Sequence, residues 1–128
     1  MKGFLDGQID SECSGSWLQN EMHGSGVCVY FAEGRKVAVM RGQWSEGSEK
    51  GPGTYERYGK NGKLIARIKA QFRGDYAKGT LWEYAGGKVI REYQGELLKY
   101  AKHGKGRLKH ADGKVEEGTW VRGKLTAG

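Results

Sequence analysis

Proline, cysteine and long apolar stretches are scarce in this chain of 128 residues, and each absence excludes a class of protein. Pro52 is the single proline, and the 23 glycines follow no Gly-X-Y period, so a collagen-like structure is excluded. Nothing approaches the run of about 18 apolar residues that a membrane-spanning helix needs, and no amino-terminal stretch resembles a signal peptide. We therefore expect a soluble, cytoplasmic protein.

Cys13 and Cys28 are the only cysteines. Two cysteines are too few for a disulfide framework, and neither has the neighbours of a metal site at ligand spacing. We therefore expect two buried, reduced thiols in a reducing compartment.

Catalytic motifs are also missing, since the chain has no Gly-x-Ser-x-Gly, no phosphate-binding loop and no His-Glu-x-x-His. His23 and His103 each precede a Gly-x-Gly pair, which indicates a structural role at a turn, and His110 has no partner at metal-ligand spacing. Neighbouring acids such as Glu116 and Glu117 would point to opposite faces of a strand. We expect no enzymatic activity, no metal and no cofactor.

Glycine and aromatic residues are abundant instead, with seven tyrosines, four tryptophans and three phenylalanines. Glycine turns that alternate with aromatic and β-branched runs predict many short strands. The formal net charge is +7, although the stretch before Arg35 holds one lysine against five acidic residues. A basic body favours acidic partners, which can be a protein, an anionic lipid or a nucleic acid.

The glycines follow a repeating register. A glycine, any residue and a large apolar or aromatic residue recur five times: Gly15-Ser16-Trp17, Gly42-Gln43-Trp44, Gly74-Asp75-Tyr76, Gly95-Glu96-Leu97 and Gly118-Thr119-Trp120. A Gly-x-Gly pair begins nine residues after the leading glycine in three copies, at Gly24, Gly51 and Gly104. Each copy therefore predicts a strand, a turn, a second strand and a second turn, which amounts to about ten strands.

Strand alternation predicts that the residues two before and two after each leading glycine lie on one face. Phe72 and Tyr76, for example, flank Gly74 in this way. A glycine between two bulky residues leaves room for a neighbouring ring to lie over the backbone. One face of the sheet should therefore carry a ladder of large side chains.

At these residues the chain resembles the MORN (membrane occupation and recognition nexus) repeats, whose unit is roughly Tyr-x-Gly-x-Trp, Gly-x-Gly and Asp-Gly. The fourth copy matches best, with Tyr93-Gln94-Gly95-Glu96-Leu97, His103-Gly104-Lys105-Gly106 and Ala111-Asp112-Gly113. The third copy is shortened, and Glu116 replaces the tyrosine of the last. The resemblance implies an all-β fold, an elongated, twisted, single-layer antiparallel sheet of about five hairpins, and binding of proteins or lipids without catalysis by the repeats.

We expect a single repeat domain over residues 1–128, with an amino-terminal cap at 1–12, repeats at 13–124 and a tail at 125–128. Free strand edges at the two ends of such a sheet favour a homodimer unless the cap or charged residues blunt them.

Two faces are candidate binding surfaces. The ladder face is predicted to form an aromatic groove, although its rings could also simply pack on one another; its residues are Trp44, Tyr55, Phe72, Tyr76, Leu81, Tyr93 and Trp120. The opposite face should present aromatic rings beside cations: Phe31, Tyr58, Trp82 and Tyr84 with Lys60, Arg67 and Lys69. Large outward-facing aromatic residues often mark contacts, or are covered by a further strand or a dimer mate.

The function predicted first is that of an adaptor or inhibitor, which binds an acidic protein or peptide partner through the aromatic groove. One alternative is peripheral binding to anionic phospholipid surfaces, for which the basic run Lys99–Lys109 is the candidate segment. Another alternative is stacking of single-stranded nucleic acid on the basic aromatic face.

Overall fold

The computed structural model describes residues 2–3 and 9–127 as one open antiparallel sheet in which each strand pairs with the next along the chain. The eleven strands are β1 Lys2–Gly3, β2 Ile9–Leu18, β3 Glu21–Ala32, β4 Arg35–Ser45, β5 Ser48–Tyr58, β6 Leu64–Arg73, β7 Tyr76–Ala85, β8 Lys88–Leu98, β9 Ala101–His110, β10 Val115–Val121 and β11 Lys124–Ala127. The described residues include no helix. The prediction of an all-β sheet of repeated hairpins is confirmed.

Six of the hairpins close through a two-residue turn in which both φ angles are positive. This is the type I′ geometry, whose twist matches that of the strands. The six turns are Gln19-Asn20, Glu33-Gly34, Glu46-Gly47, Gly86-Gly87, Lys99-Tyr100 and Arg122-Gly123. Short turns of this kind force consecutive strands to be neighbours, so the chain can only build a meander.

The strand register aligns large side chains directly across the sheet. We call this alignment the ladder row and the face that bears it the inner face; its members in β2 to β9 are Cys13, Cys28, Met40, Tyr55, Ile68, Leu81, Tyr93 and Leu108. Tyr93, Met40 and Ile68 have at most 1% of their surface exposed. The core of this single-layer protein therefore lies on the inner face.

A second row lies two residues away from the ladder row in each strand, and all of its members except Ala70 are glycines. We call it the glycine row; it consists of Gly15, Gly26, Gly42, Gly53, Ala70, Gly79, Gly95, Gly106 and Gly118. Ladder side chains bend over it, so that a Cβ built on Gly106 would lie 2.0 Å from Tyr93 Oη. The predicted room for a ring over a glycine is confirmed.

The two glycines of a Gly-x-Gly pair serve different purposes, as the fourth copy shows. Gly104 has a φ of 70° and lies where the pairing of β8 and β9 shifts register, which is the setting of a β-bulge. Gly106 supplies the space that the ring of Tyr93 fills. One glycine therefore allows a backbone conformation and the other allows close packing.

The predicted register is wrong in the third copy. Gly74 has a φ of 63° and begins the turn between β6 and β7, so it is not a strand glycine. Ala70 takes the place in the glycine row, and Phe72 follows it on the inner face. Tyr76 pairs with Arg73 and falls on the opposite, outer face, where 38% of its surface is exposed.

The two cysteines are bonded to each other, which corrects the prediction of two free thiols. Cys13 in β2 and Cys28 in β3 are direct partners in the ladder row, with their Cα atoms 4.0 Å apart. Each was predicted to be buried, and Cys28 is, with 3% of its surface exposed. The register brings the two sulfur atoms together at the edge of the sheet.

The limits of the domain remain predictions. Half of the predicted cap at 1–12 lies outside the described residues, and β2 already begins at Ile9. β11 runs to Ala127, and therefore into the predicted tail. The homodimer through the sheet edges likewise stays a prediction.

Consecutive hairpins are also joined through the turns at one end of the strands. Gly74 N donates to Glu49 O over 2.8 Å, and Lys99 N donates to Asp75 O over 2.8 Å. Equivalent bonds run from Gly47 N to Met22 O and from Gly123 N to Lys102 O. These bonds place the β8–β9 turn close to the inner face of β5 and β6.

Candidate functional site

Most of the predicted groove residues form the core. Five of the seven have at most 6% of their surface exposed: Trp44, Phe72, Leu81, Tyr93 and Trp120. Tyr55 is half-buried, and Tyr76 lies on the outer face. Their packing on one another is therefore a finding, whereas their contact with a partner stays a prediction.

The polar tips of the buried rings are satisfied within the sheet. Tyr93 Oη donates to Glu96 O over 2.7 Å, and Trp120 Nε1 donates to Gly106 O over 2.9 Å. The two rings meet edge to face, with centroids 5.6 Å apart. Burial raises the pKa of Tyr93 to about 12, so this hydroxyl stays protonated as a donor.

One part of the inner face remains open as a cleft of about 270 Å³, which we call the inner cleft. Tyr55, Ile68 and Leu81 of the ladder row form its floor. Arg57, Glu83 and Lys102 stand at its rim, and the β8–β9 turn with Tyr100 covers one side. The cleft thus combines an apolar base with charged edges.

Tyr100 holds the turn against the inner face. Its ring stacks on Tyr55 with centroids 3.8 Å apart, and its Oη donates to Glu49 Oε2 over 2.5 Å. Burial, together with the Glu49 carboxylate, raises the pKa of Tyr100. This contact joins residues 51 positions apart in the chain and shapes one wall of the cleft.

The rim of the inner cleft carries a small ion-pair network. Glu83 accepts from Arg91 Nε at 2.7 Å and lies 3.6 Å from Lys102 Nζ. Lys102 Nζ also lies 5.8 Å from the centroid of the Trp120 ring. Arg57 forms no ion pair with the residues that the structure describes, so it is the rim cation available to a partner.

Glu49 should make the stability of the protein depend on pH. Burial is the largest influence on this carboxyl and raises its pKa above the ordinary value of 4.5, despite the hydrogen bond from Tyr100. A carboxyl with a raised pKa binds more protons in the folded state, so its contribution is complete below pH 4.5 and is lost as the pH rises through the folded pKa.

The measurement is denaturant unfolding of the wild type and of Glu49→Gln, in steps upward from pH 4.5. The amide keeps an acceptor for Tyr100 but cannot ionise. The wild type should lose stability relative to the variant over this range. Parallel curves for the two proteins would show that Glu49 titrates normally.

The outer face carries the second predicted set of residues. Register and alternation place Phe31, Tyr58, Trp82, Tyr84, Arg67 and Lys69 there, and Lys60 lies in the β5–β6 turn. All four rings are half-buried. Their role in binding stays a prediction.

Two of these outer rings are tied to neighbouring carboxylates. Trp82 Nε1 donates to Glu92 Oε1 over 3.0 Å, and Tyr58 Oη donates to Glu56 Oε1 over 3.3 Å. Lys36 Nζ lies 4.4 Å from the centroid of the Tyr58 ring. Carboxylates beside the rings would repel phosphates, which disfavours stacking of a nucleic acid at this place.

Among the described residues, no group of three or more His, Cys, Asp or Glu side chains could hold a metal ion. His110 Nε2 instead lies 3.1 Å from Glu116 Oε2, the residue in the tyrosine position of the last copy. The part of the chain that the structure describes has no helix with the length and apolar character to cross a membrane.

Glu49 and Arg57 had no predicted role, and Tyr100 and Lys102 were singled out only as members of the basic run Lys99–Lys109. The Lys99-Tyr100 turn carries no glycine, and a contact between residues from non-neighbouring strands leaves no periodic signal. Only the positive φ angles of this turn and the bonds between turns bring Tyr100 over β5.

Comparison with known families supports the repeat. The MORN repeat family model matches residues 13–32, 41–63 and 93–115, just over half of the chain. No curated protein is significantly similar to the chain. MORN repeats are generally associated with binding of proteins or membrane lipids, and proteins built from them are typically non-enzymatic. The matched segments are the three copies with a complete Gly-x-Gly pair, and the chain belongs to the MORN repeat family.

Proposed function

We propose that this chain is a non-enzymatic adaptor or inhibitor that receives one or two side chains of an acidic protein or peptide partner in the inner cleft. The observation that carries this proposal is the cleft itself, where Tyr55 of the ladder row stays partly exposed. Pockets for drug-sized ligands measure about 300–1,000 Å³, so a cleft of about 270 Å³ suits side chains better than a cofactor.

The chemistry of the cleft supports an amphipathic guest. Tyr55 and Leu81 supply aromatic and aliphatic contact, and rings provide such contact at a small cost in conformational entropy. Arg57 at the rim would attract a carboxylate from the same partner segment. The net charge of +7 would speed the encounter with an acidic surface.

Charge reversal at the rim tests this proposal. Arg57→Glu should weaken retention of the partner about tenfold or more. The variant replaces the attraction between Arg57 and a partner carboxylate by repulsion between two carboxylates, at a partly desolvated contact. The measurement is a pull-down with purified protein from the native lysate, treated with nuclease and run at two salt concentrations. One protein retained in stoichiometric amount at both salts is the expected partner.

Lys88→Glu is the matched control, because it makes the same change of charge at an exposed residue that does not line the cleft. It should retain the partner as the wild type does. If Arg57→Glu keeps the wild-type unfolding midpoint and still binds the partner equally well, the cleft is not the binding site.

A further inference from the structure

We infer that the outer face carries a second, separate binding site, a basic furrow that takes an extended acidic peptide segment. The furrow follows the glycine row across the strands, in two stretches of about 660 and 440 Å³ that lie in line. Its position on the face opposite the inner cleft makes it independent of the function proposed above.

The floor of the furrow is bare backbone. In the first stretch it is formed by Gly42, Gly53, Ala70 and Gly79, which belong to the glycine row. These strands are paired on both sides, so the floor has few free backbone groups and cannot accept an added strand. Recognition must therefore come from the side chains of the walls.

The walls of the first stretch are polar and basic. Arg41, Lys69 and Lys78 line it together with Gln43, Thr54 and Gln71, and no acidic residue that the structure describes does. Arg41 is paired with Glu56 at 2.6 Å. Lys69 forms no ion pair with any described residue, so its charge remains for a ligand. Lys78 stands opposite Glu96 in the pairing of β7 and β8, so that carboxylate compensates part of its charge.

The second stretch is also basic, but acidic residues compensate part of its positive charge. Lys105 and Arg107 line it, and Glu117 stands opposite Arg107 in the pairing of β9 and β10. Glu96 lies between the stretches, with its carboxylate held by Tyr76 Oη and by Lys105 N. These bonds lower the pKa of Glu96, with the Tyr76 bond as the larger cause. The first stretch is thus the stronger site for an anion.

The spacing of the cations fits an extended peptide. Arg41 and Lys69 are two strands apart, which corresponds to about 10 Å at about 4.8 Å per strand. About three residues of an extended chain cover that distance. The amides and hydroxyls between the cations can bond the peptide groups of such a segment.

Other anionic partners fit less well. Among the described residues no aromatic side chain lines either stretch, so bases of a single-stranded nucleic acid would find no ring there to stack on. The described part of the chain also places no large apolar side chain along them, so nothing there would insert into a bilayer. An acidic peptide needs neither feature.

The test uses a fluorescent peptide of about 12 residues in which glutamate occupies every third position between serines and glycines. Its matched partner carries glutamine at the same positions. Anisotropy titrations at about 50 and 150 mM salt should show at least about tenfold tighter binding of the glutamate peptide. Lys69→Glu/Lys78→Glu should lose at least about tenfold of that affinity.

Lys88→Glu/Lys124→Glu is the control, with an equal change of charge at exposed residues outside the furrow lining. Its affinity for the glutamate peptide should fall by less than about threefold. Equal losses in the two double variants would overturn the proposal, since net charge alone would then explain binding. If the reversed variant has a lower unfolding midpoint, Lys69→Gln/Lys78→Gln replaces it.

Oligothymidine of about 15 nucleotides and vesicles with and without phosphatidylserine are titrated in parallel. Tighter binding of either than of the glutamate peptide, lost in Lys69→Glu/Lys78→Glu, would assign the furrow to that ligand and overturn the peptide proposal. Since the cleft variant Arg57→Glu leaves the furrow unchanged, it should bind the peptide nearly as the wild type does. A negative result for the furrow proposal can therefore be distinguished from a negative result for the cleft proposal.

Discussion

Gly106→Ala should destabilise the protein by about 3 kcal/mol, because the added methyl group has no room on the inner face. Its carbon would stand 2.0 Å from Tyr93 Oη and 2.2 Å from Tyr93 Cζ. Tyr93 has no exposed surface, and its hydroxyl is bonded to Glu96 O, so the ring cannot move aside without breaking that bond. Denaturant unfolding of the purified variant measures the loss.

Gly59→Ala is the matched control, since the nearest neighbour of its new methyl group would be the exposed side chain of Ile65, at 3.2 Å, with Asn61 Oδ1 at 3.6 Å and Lys63 O at 3.9 Å. It should change stability by less than about 1 kcal/mol. Tyr93→Ala alone should cost about 4 kcal/mol, and adding Gly106→Ala to it should cost much less than in the wild type. The two losses should therefore be coupled by more than about 1 kcal/mol. Simple additivity would show that the ring does not rest on this glycine.

Reduction of the Cys13–Cys28 bond should lower the free energy of unfolding by about 3 kcal/mol. This is the stabilisation expected when a loop of this length is closed and the unfolded chain loses conformational entropy. The bond spans 15 residues and ties β2 to β3 near one edge of the sheet. Unfolding midpoints in the presence and absence of reductant measure the effect. A thiol titration of the purified protein gives the fraction that is bonded.

Cys13→Ala/Cys28→Ala is the control for this bond, because reductant should not change its midpoint. The reduced wild type should approach the stability of this variant. If the unfolding midpoint of the wild type is the same with and without reductant, the bond does not form in solution. The cytoplasmic location stays a prediction, and a high bonded fraction in cells would argue against it, because disulfides persist in oxidising compartments.

Local pattern was sufficient to predict the strands, the hairpins and the ladder. Side chains alternate strictly along a strand, so residues such as Tyr93 and Leu97, on either side of Gly95, must share a face once the segment is extended. Turn glycines such as Gly34 and Gly87 mark the strand ends, because positive φ is easy for glycine. The all-β class, the repeat and the need for small residues beneath the rings followed from the sequence by itself.

Register and curvature could be decided only by the tertiary structure. A glycine looks the same in a sequence whether it lies in a strand or in a turn, so Gly74 was assigned to a strand and Tyr76 to the wrong face. The cysteine bond depends on pairing that sets residues 13 and 28 directly opposite each other.

The inner cleft depends on the bonds between successive turns, which bring Tyr100 onto Tyr55 from a strand pair three strands away. The outer furrow depends on which cations alternate onto one face across several strands. Both sites arise from contacts between residues distant in the chain, and such contacts follow from strand pairing and twist, which local sequence pattern does not encode.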